Sequence, residues 1–315
     1  MVKVSIILPS YNVANYIEKS IRSIINQTFT DFEVIIVNDG STDNIIEVIN
    51  NLKLDSRFKL FTKKNEGSGF ARNYGFEKSV GKYIYFMDPD DTIDGKLLED
   101  NVRILETTEC DFTIFGYEEI SVKNNKQKKY KTEKKKHVSN SIEVQKELLN
   151  IAQNNSIVAV WNKVFRKSFL LKNKLEFTNL PIGQDAEFSW KVYKKTNEFI
   201  SIPETYYNYS VSRPGSARTK YNEKKYSSEL KVLNQMIDTI SDWELADKYT
   251  SLINKQKVNI IISEIINIKK DEKQKLKSIK KRELFKEITK FKLTSVSGIK
   301  DKIKLVIIKI IDIII

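Results

Sequence analysis

The first hundred residues alternate apolar, β-branched runs with stretches of helical spacing, and nothing else in the chain constrains its fold as tightly. VSIILP (4–9), FEVIIVND (32–39), RFKLFT (57–62) and GKYIYFMD (81–88) read as strands. Between them, ANYIEKSIRSIINQ (14–27) sets Ile17, Ile21, Ile24 and Ile25 along one helical face. STDNIIEVINNL (41–52) reads as a helix opened by a Ser, Thr or Asp cap, and GSGFARNYGFEKSV (67–80) as one led by glycine. Strands that are apolar on both faces and joined through helices need cover on both sides. The expectation is an α/β fold, a Rossmann-like, mostly parallel sheet with helices on both faces.

The pattern loosens after residue 88. DFTIFGYEEISV (111–122) reads as a further strand entering a hairpin around the lysine run KNNKQKKYKTEKKK (123–136). Helices are expected near 140–153, 167–172 and 185–196, and a strand at ETYYNYSVS (204–212). From Tyr221 onward Gly298 is the sole Gly or Pro, while Lys, Glu, Ile and Leu dominate. That shift predicts a domain over 1–220 followed by a helical extension over 221–315.

Charge and residue usage narrow the chemistry. The net charge of +13 is local, with +7 in residues 123–136 and +9 in 269–304, so the remainder is slightly acidic. Neither segment has the aromatic interleaving of a base-stacking surface, so nucleic acid is not expected, and an anionic membrane surface is the competing partner. MVKVSIILPSYN lacks the form of a signal peptide, no run of eighteen apolar residues exists, and the lone Cys110 fits a reducing cytoplasm. His137 is the one histidine, which leaves acid–base work to Asp or Glu. No G-x-G-x-x-G follows the first strand, and no Walker A sequence is present.

In open parallel sheets ligands bind at the carboxyl ends of strands. PSYN (9–12), NDGSTD (38–43) and DPDD (88–91) end the first, second and fourth strands, so all three fall on one rim. Solvated acidic loops are the competing reading. Pro89 favours extended backbone at Asp88, and side chains two apart in an extended segment share a face. Asp88 and Asp90 are therefore expected to converge while Asp91 diverges. Two carboxylates at one point suit a hard cation, Mn2+ or Mg2+, and zinc is disfavoured because Cys110 and His137 are its only soft or imidazole candidates.

Residues 4–43, EGSGFARNYG (66–75) and YIYFMDPDD (83–91) resemble, in order and spacing, the donor half of glycosyltransferase family 2, inverting enzymes of GT-A fold found in bacterial cell-surface polysaccharide synthesis. WNKVFRKSFL (161–170), PIGQDAEFSWKVY (181–193) and YNYSVSRPGSARTK (207–220) extend the resemblance to about residue 220. It implies a nucleotide-sugar half over 1–117 and an acceptor half over 118–220. It also implies that Pro9, Tyr11, Asp39 and Arg72 border the nucleotide, with Asp39 facing the uracil of a UDP-sugar. Asp88 would reach toward the ribose and Asp90 would hold the metal on the diphosphate. Asp185 would be the base for the acceptor hydroxyl, although alone it reads as a helix N-cap. Trp161 and Lys163 would line the sugar and acceptor pocket, and Arg213 and Ser216 would cover the diphosphate. Gln184 departs from the family's usual Glu before that base.

The acceptor expected from the resemblance is a glycan or a lipid-linked molecule. GIKDKIKLVIIKIIDIII (298–315) reads as an amphipathic helix, suited either to the membrane interface or to a homo-oligomer through the C-terminal helices. The corresponding location is cytoplasmic, peripheral at the inner face of the cell membrane. Two other classes compete. DPDDT also fits the nucleophile motif of haloacid-dehalogenase-like, Mg-dependent phosphatases, but that motif belongs on a first strand and three strand–helix units precede it here. A non-catalytic, membrane-associated GT-A-like scaffold would need a broken site, whereas Asp39, Asp88, Asp90 and Asp185 are all present.

Overall fold

The computed structural model describes residues 2–121, 127–130, 135–153, 158–211 and 221–269. In chain order the elements are β1 (Val4–Ser10), α1 (Ala14–Ile25), β2 (Phe32–Asp39), α2 (Ile45–Asn51), β3 (Phe58–Lys63), α3 (Ser68–Lys78) and β4 (Tyr83–Phe86). There follow β5 (Thr92–Ile93), α4 (Leu97–Glu106), β6 (Phe112–Ser121), β7 (Gln127–Tyr130), β8 (Lys136–Val138) and α5 (Ser141–Gln153). The remainder is β9 (Lys163–Arg166), α6 (Lys167–Lys172), α7 (Gln184–Lys195), β10 (Phe199–Val211), α8 (Lys225–Asp242) and α9 (Thr250–Lys269).

One sheet runs β3-β2-β1-β4-β9-β6-β10-β5, with β7 paired to β6 and β8 to β10. The long ladders are parallel: β1 on β2 from Val4↔Phe32 to Ser10↔Asn38, β2 on β3, and β10 on β6 from Phe199↔Phe112 to Val211↔Ser121. Short antiparallel β9 joins the two parallel blocks, with Tyr83↔Arg166 on one side and Phe112↔Phe165 on the other. Every residue of β1, β2 and β4 is buried, as strands covered on both faces require. On one face Ile17, Ile21 and Ile24 of α1 join the core with Ile6, Leu8, Val34 and Ile36, and on the other Ala71 of α3 packs with Ile35 and Val37. The mostly parallel sheet with helices on both faces is thus the observed architecture.

One local expectation is corrected and one element is added. The second helix starts at Ile45 rather than Ser41, because STD is committed elsewhere. Ser41 Oγ accepts from Asn12 N–H, Thr42 N–H donates to Asn12 Oδ1, and Asp43 Oδ2 accepts from Ala14 N–H. Those residues tie the loop after β2 to the loop after β1. The structure also adds α4, whose Leu97, Leu98, Val102 and Leu105 are buried.

The chain divides into two compact units, one of Met1–Leu180 with Gln184–Pro214, the other of Pro181–Gly183 with Gly215–Ile315. The second unit contains α8 and α9, in which Ser263 Oγ donates to Glu229 Oε1 at 2.9 Å and Leu233, Met236, Ile240, Val258 and Ile261 are buried. The amphipathic stretch 298–315 lies outside the described residues. Among the described residues no helix is long and apolar enough to cross a membrane.

Candidate active site

The parallel pairing of β1, β2 and β4 brings their carboxyl ends to one rim. Pro9 is buried at the end of β1, and Tyr11 beyond it is 48% exposed. Asp39 ends β2 and is buried. Its Oδ1 accepts from Lys63 Nζ at 3.0 Å and Glu66 N–H at 3.1 Å, and its Oδ2 accepts from Gly67 N–H at 2.8 Å. Gly67 takes φ 96°, a conformation that favours glycine, where the chain leaving β3 passes Asp39 and enters α3. A carboxylate offers about four acceptor positions, so three donors leave Asp39 room for one more.

The acidic stretch follows β4 and folds into a turn at Pro89–Asp90, with Asp91 N–H donating to Asp88 C=O at 3.3 Å. This corrects the expectation that Asp91 diverges. The alternation of faces holds for extended backbone, whereas the turn keeps one carboxyl oxygen of each of Asp88, Asp90 and Asp91 within 4.8 Å of the others. Asp91 is nonetheless engaged by protein. Its Oδ2 accepts from the Tyr207 hydroxyl and its Oδ1 from Ser210 N–H, both at 2.7 Å. Burial, followed by the nearby charges of Asp90 and Asp88, pushes its carboxyl well above the usual range. The Tyr207 hydroxyl also accepts from Asp88 N–H at 3.3 Å, so β10 holds both ends of the turn. Asp88 and Asp90 remain as the partly exposed members. All three groups are hard oxygen donors, which fits a hard divalent cation and not a soft one.

Arg72 of α3 ties this turn to α7. Its Nη2 donates to Asp88 Oδ1 at 2.7 Å, and its Nη1 forms an ion pair with Asp185 Oδ1 at 2.8 Å that lacks the alignment of a hydrogen bond. Burial opposes the guanidinium's charge, but Asp185 and Asp88 beside it raise its pKa above the ordinary value. Asp185 sits in the first turn of α7, where the helix dipole favours a carboxylate. Gln184, one residue earlier, donates through Nε2 to Ser68 Oγ at the start of α3.

Trp161 and Lys163 lie inside the protein. Trp161 stacks on Tyr207 with centroids 4.2 Å apart and on Tyr209 at 5.4 Å. Lys163 has no exposed surface, and its Nζ donates to Asn162 Oδ1 at 2.9 Å and to Ala159 C=O. Burial draws its pKa well below the ordinary value. Arg213 and Ser216 lie outside the described residues. Tyr207 and the Arg72–Asp185 pair are the participants that the sequence does not announce. The aromatic run ETYYNYSVS marks a strand without showing which tyrosine meets an aspartate.

A family model described as glycosyl transferase family 2 matches residues 5–172. An uncharacterized glycosyltransferase of Rickettsia bellii is 47% identical over 118 residues, which are 38% of this chain but only 17% of that longer protein. In three dimensions the chain is similar to S. aureus TarS 1-349 in complex with UDP-GlcNAc, at 18% identity and TM-score 0.65 over 98% of this chain and 90% of that one. It is also similar to the mannosyltransferase PcManGT from Pyrobaculum calidifontis in complex with GDP-Man and Mn2+, at 13% identity and TM-score 0.54 over 83% and 71% of the two chains. At those identities the structures speak for the fold, and the fold is that of GT-A proteins. With more than half of its residues matched by the family model, this chain belongs to glycosyl transferase family 2.

Proposed function

We propose that the protein is a metal-dependent, inverting glycosyltransferase that moves a sugar from a nucleotide sugar to a glycan or lipid-linked acceptor. The observation that carries this reading is the placing of Asp185 beside Arg72, which also holds Asp88 of the acidic turn. One general base and one cation-binding pair are then parts of one site.

The Asp185 carboxylate takes the proton of the acceptor hydroxyl as its oxygen bonds to the anomeric carbon. The bond from that carbon to the diphosphate breaks, and its electron pair leaves with the nucleoside diphosphate. A single displacement of this kind inverts the anomeric centre. Asp88 and Asp90 would hold Mn2+ or Mg2+, which when bound supplies positive charge to the diphosphate oxygens. Asp39 and the exposed ring of Tyr11 border the base. UDP is favoured as the nucleotide by the Asp39 context and by the UDP-GlcNAc complex of TarS. The GDP-Man and Mn2+ complex of PcManGT supports the metal while keeping GDP in the comparison.

The proposed setting is the cytoplasmic face of a membrane, reached through residues 298–315, which could equally join copies of the chain. Deletion of that segment should release the protein from anionic liposomes, and unchanged sedimentation would remove the membrane arm. The catalytic reading is tested by a nucleotide-sugar panel with and without Mn2+, scored by thermal shift and by release of nucleotide. Metal-dependent release from one donor is expected. The absence of any shift or release would overturn the reading.

A further inference from the structure

Arg72 is too enclosed to act mainly as a ligand for a nucleotide. Its side chain is 3% exposed, whereas those of Asp88 and Asp185 are 24% and 28% exposed. The guanidinium therefore lies behind two carboxylates that face outward. One arm meets Asp88 at 2.7 Å and the other meets Asp185 at 2.8 Å. The Asp88 arm is a hydrogen bond and the Asp185 arm an ion pair, and a planar guanidinium that meets two carboxylates through different nitrogens sets their separation by its own width, which the point charge of an ammonium would not.

The surroundings hold the fork in place. The Phe177 ring lies 5.3 Å from the guanidinium carbon and stacks on Phe188 of α7 with centroids 3.9 Å apart. Asn73, next to Arg72 on α3, brackets the Phe177 backbone: its Nδ2 donates to the carbonyl at 2.8 Å and its Oδ1 accepts from the N–H at 2.9 Å. Gly69 makes the close approach possible, since a Cβ there would meet Thr178 C=O at 2.5 Å. Gln184 bonds to Ser68 one turn away. The starts of α3 and α7 are thus joined by backbone, aromatic and amide contacts that do not need Arg72. Its charge is left to govern the two carboxylates.

We propose that Arg72 is a positioning residue that fixes the acceptor base Asp185 relative to the cation-binding end of the site. This assignment rests on the glycosyl-transfer reading and deepens it. Donor-side and acceptor-side carboxylates share one buried cation, so the place of the base depends on the turn that grips the diphosphate.

The test is a double-mutant cycle on the full chain with Arg72→Gln, Arg72→Lys, Asp185→Asn and the two combinations. For each, kcat and KM are measured for UDP release from a panel of UDP-sugars with Mn2+, together with affinity for Mn2+ and UDP. Arg72→Gln should lower kcat by roughly 10²-fold, the scale of a misplaced general base, with a much smaller change in KM. Arg72→Lys keeps the charge and loses the fork, so it should lower kcat by at least about tenfold. On the Asp185→Asn background either Arg72 change should cost less than about threefold more. If Arg72→Gln does not fold, the Lys variants close the same cycle. Losses that multiply across the two backgrounds would overturn the assignment. So would a loss confined to KM and UDP affinity, which would make Arg72 a nucleotide ligand. A wild-type chain that releases no nucleotide from any donor would instead overturn the glycosyl-transfer reading itself, and the assignment with it.

Discussion

The two ends of the parallel sheet treat buried acids in opposite ways. At the amino end, Glu33 of β2 accepts from Ser5 Oγ at 2.6 Å, from Val80 N–H at 2.7 Å and from Lys59 Nζ at 2.7 Å. Burial opposes its charge, but Lys59, Ser5 and Val80 together hold its carboxyl below the usual range. At the carboxyl end, Asp88, Asp90 and Asp91 crowd within 4.8 Å, and burial with mutual repulsion drives Asp91 the other way. Arg72 supplies that turn with one cation and divides it with Asp185. An acid that only holds the fold together is satisfied by the fold, as Glu33 is. On the proposed reading, the surplus of acidic groups on the other rim is a provision for a cation from outside.

The sharpest way to break this contrast is to change one group at each end. Asp185→Asn should lower transfer by roughly 10²–10⁴-fold, the worth of a general base, while leaving the thermal midpoint and UDP binding near the wild type. Loss of UDP binding in that variant would count against Asp185 as the base. Glu33→Ala should do the reverse. It takes the acceptor from Val80 N–H and from the Ser5 hydroxyl, whose Oγ still accepts from Gly81 N–H at 2.8 Å, so the cost should be about 1–3 kcal/mol in all, and specific activity of the folded fraction should hold. Denaturant midpoints beside turnover numbers separate the two cases.

Smaller effects sharpen the comparison. Mn2+ with UDP at a hundredfold excess over Kd should add about 2.7 kcal/mol of stability to the wild type and to Glu33→Ala, and far less to Asp90→Asn. Thermal shift with and without EDTA reads this directly. The smallest effect is expected at Glu106, an acid near the amino end that takes hydrogen bonds from Tyr83, Lys82 and Lys3 and is thereby held at about 2. Its folded pKa lies below its unfolded one. Its contribution is therefore present above about pH 4.5 and lost as pH falls through about 2. Because Glu106 is a third exposed, Glu106→Gln should cost less than about 1 kcal/mol at neutral pH, with the difference vanishing in acid.

What the sequence discloses follows from how local each feature is. The first four strands are legible because each is a short apolar run whose neighbours in the sheet are set by the βαβ rule. The position of Asp88 and Asp90 after the fourth of them separates this turn from a phosphatase nucleophile without any coordinates. The antiparallel insertion of β9 is not legible, since its partners Tyr83 and Phe112 lie far back in the chain and its own four residues, KVFR, carry little pattern. Asp91 illustrates the same limit. Its neighbours in sequence suggest a side chain turned away, and only the return of β10 supplies the Tyr207 hydroxyl and the Ser210 N–H that bury it. The Arg72–Asp185 pair joins residues more than a hundred positions apart. The cap motif STD failed for a different reason, because Asn12 competes for the same donors and acceptors.

The central claim is that the acidic turn is completed by a divalent cation carrying a nucleoside diphosphate. Titration calorimetry of UDP and GDP into the wild type and into Asp88→Asn/Asp90→Asn, each with Mn2+ or EDTA, tests it most directly. Binding of one nucleotide to the wild type that needs Mn2+ and disappears in the double variant is the predicted result. Binding that is equally tight in EDTA, or unchanged in the double variant, would contradict the account.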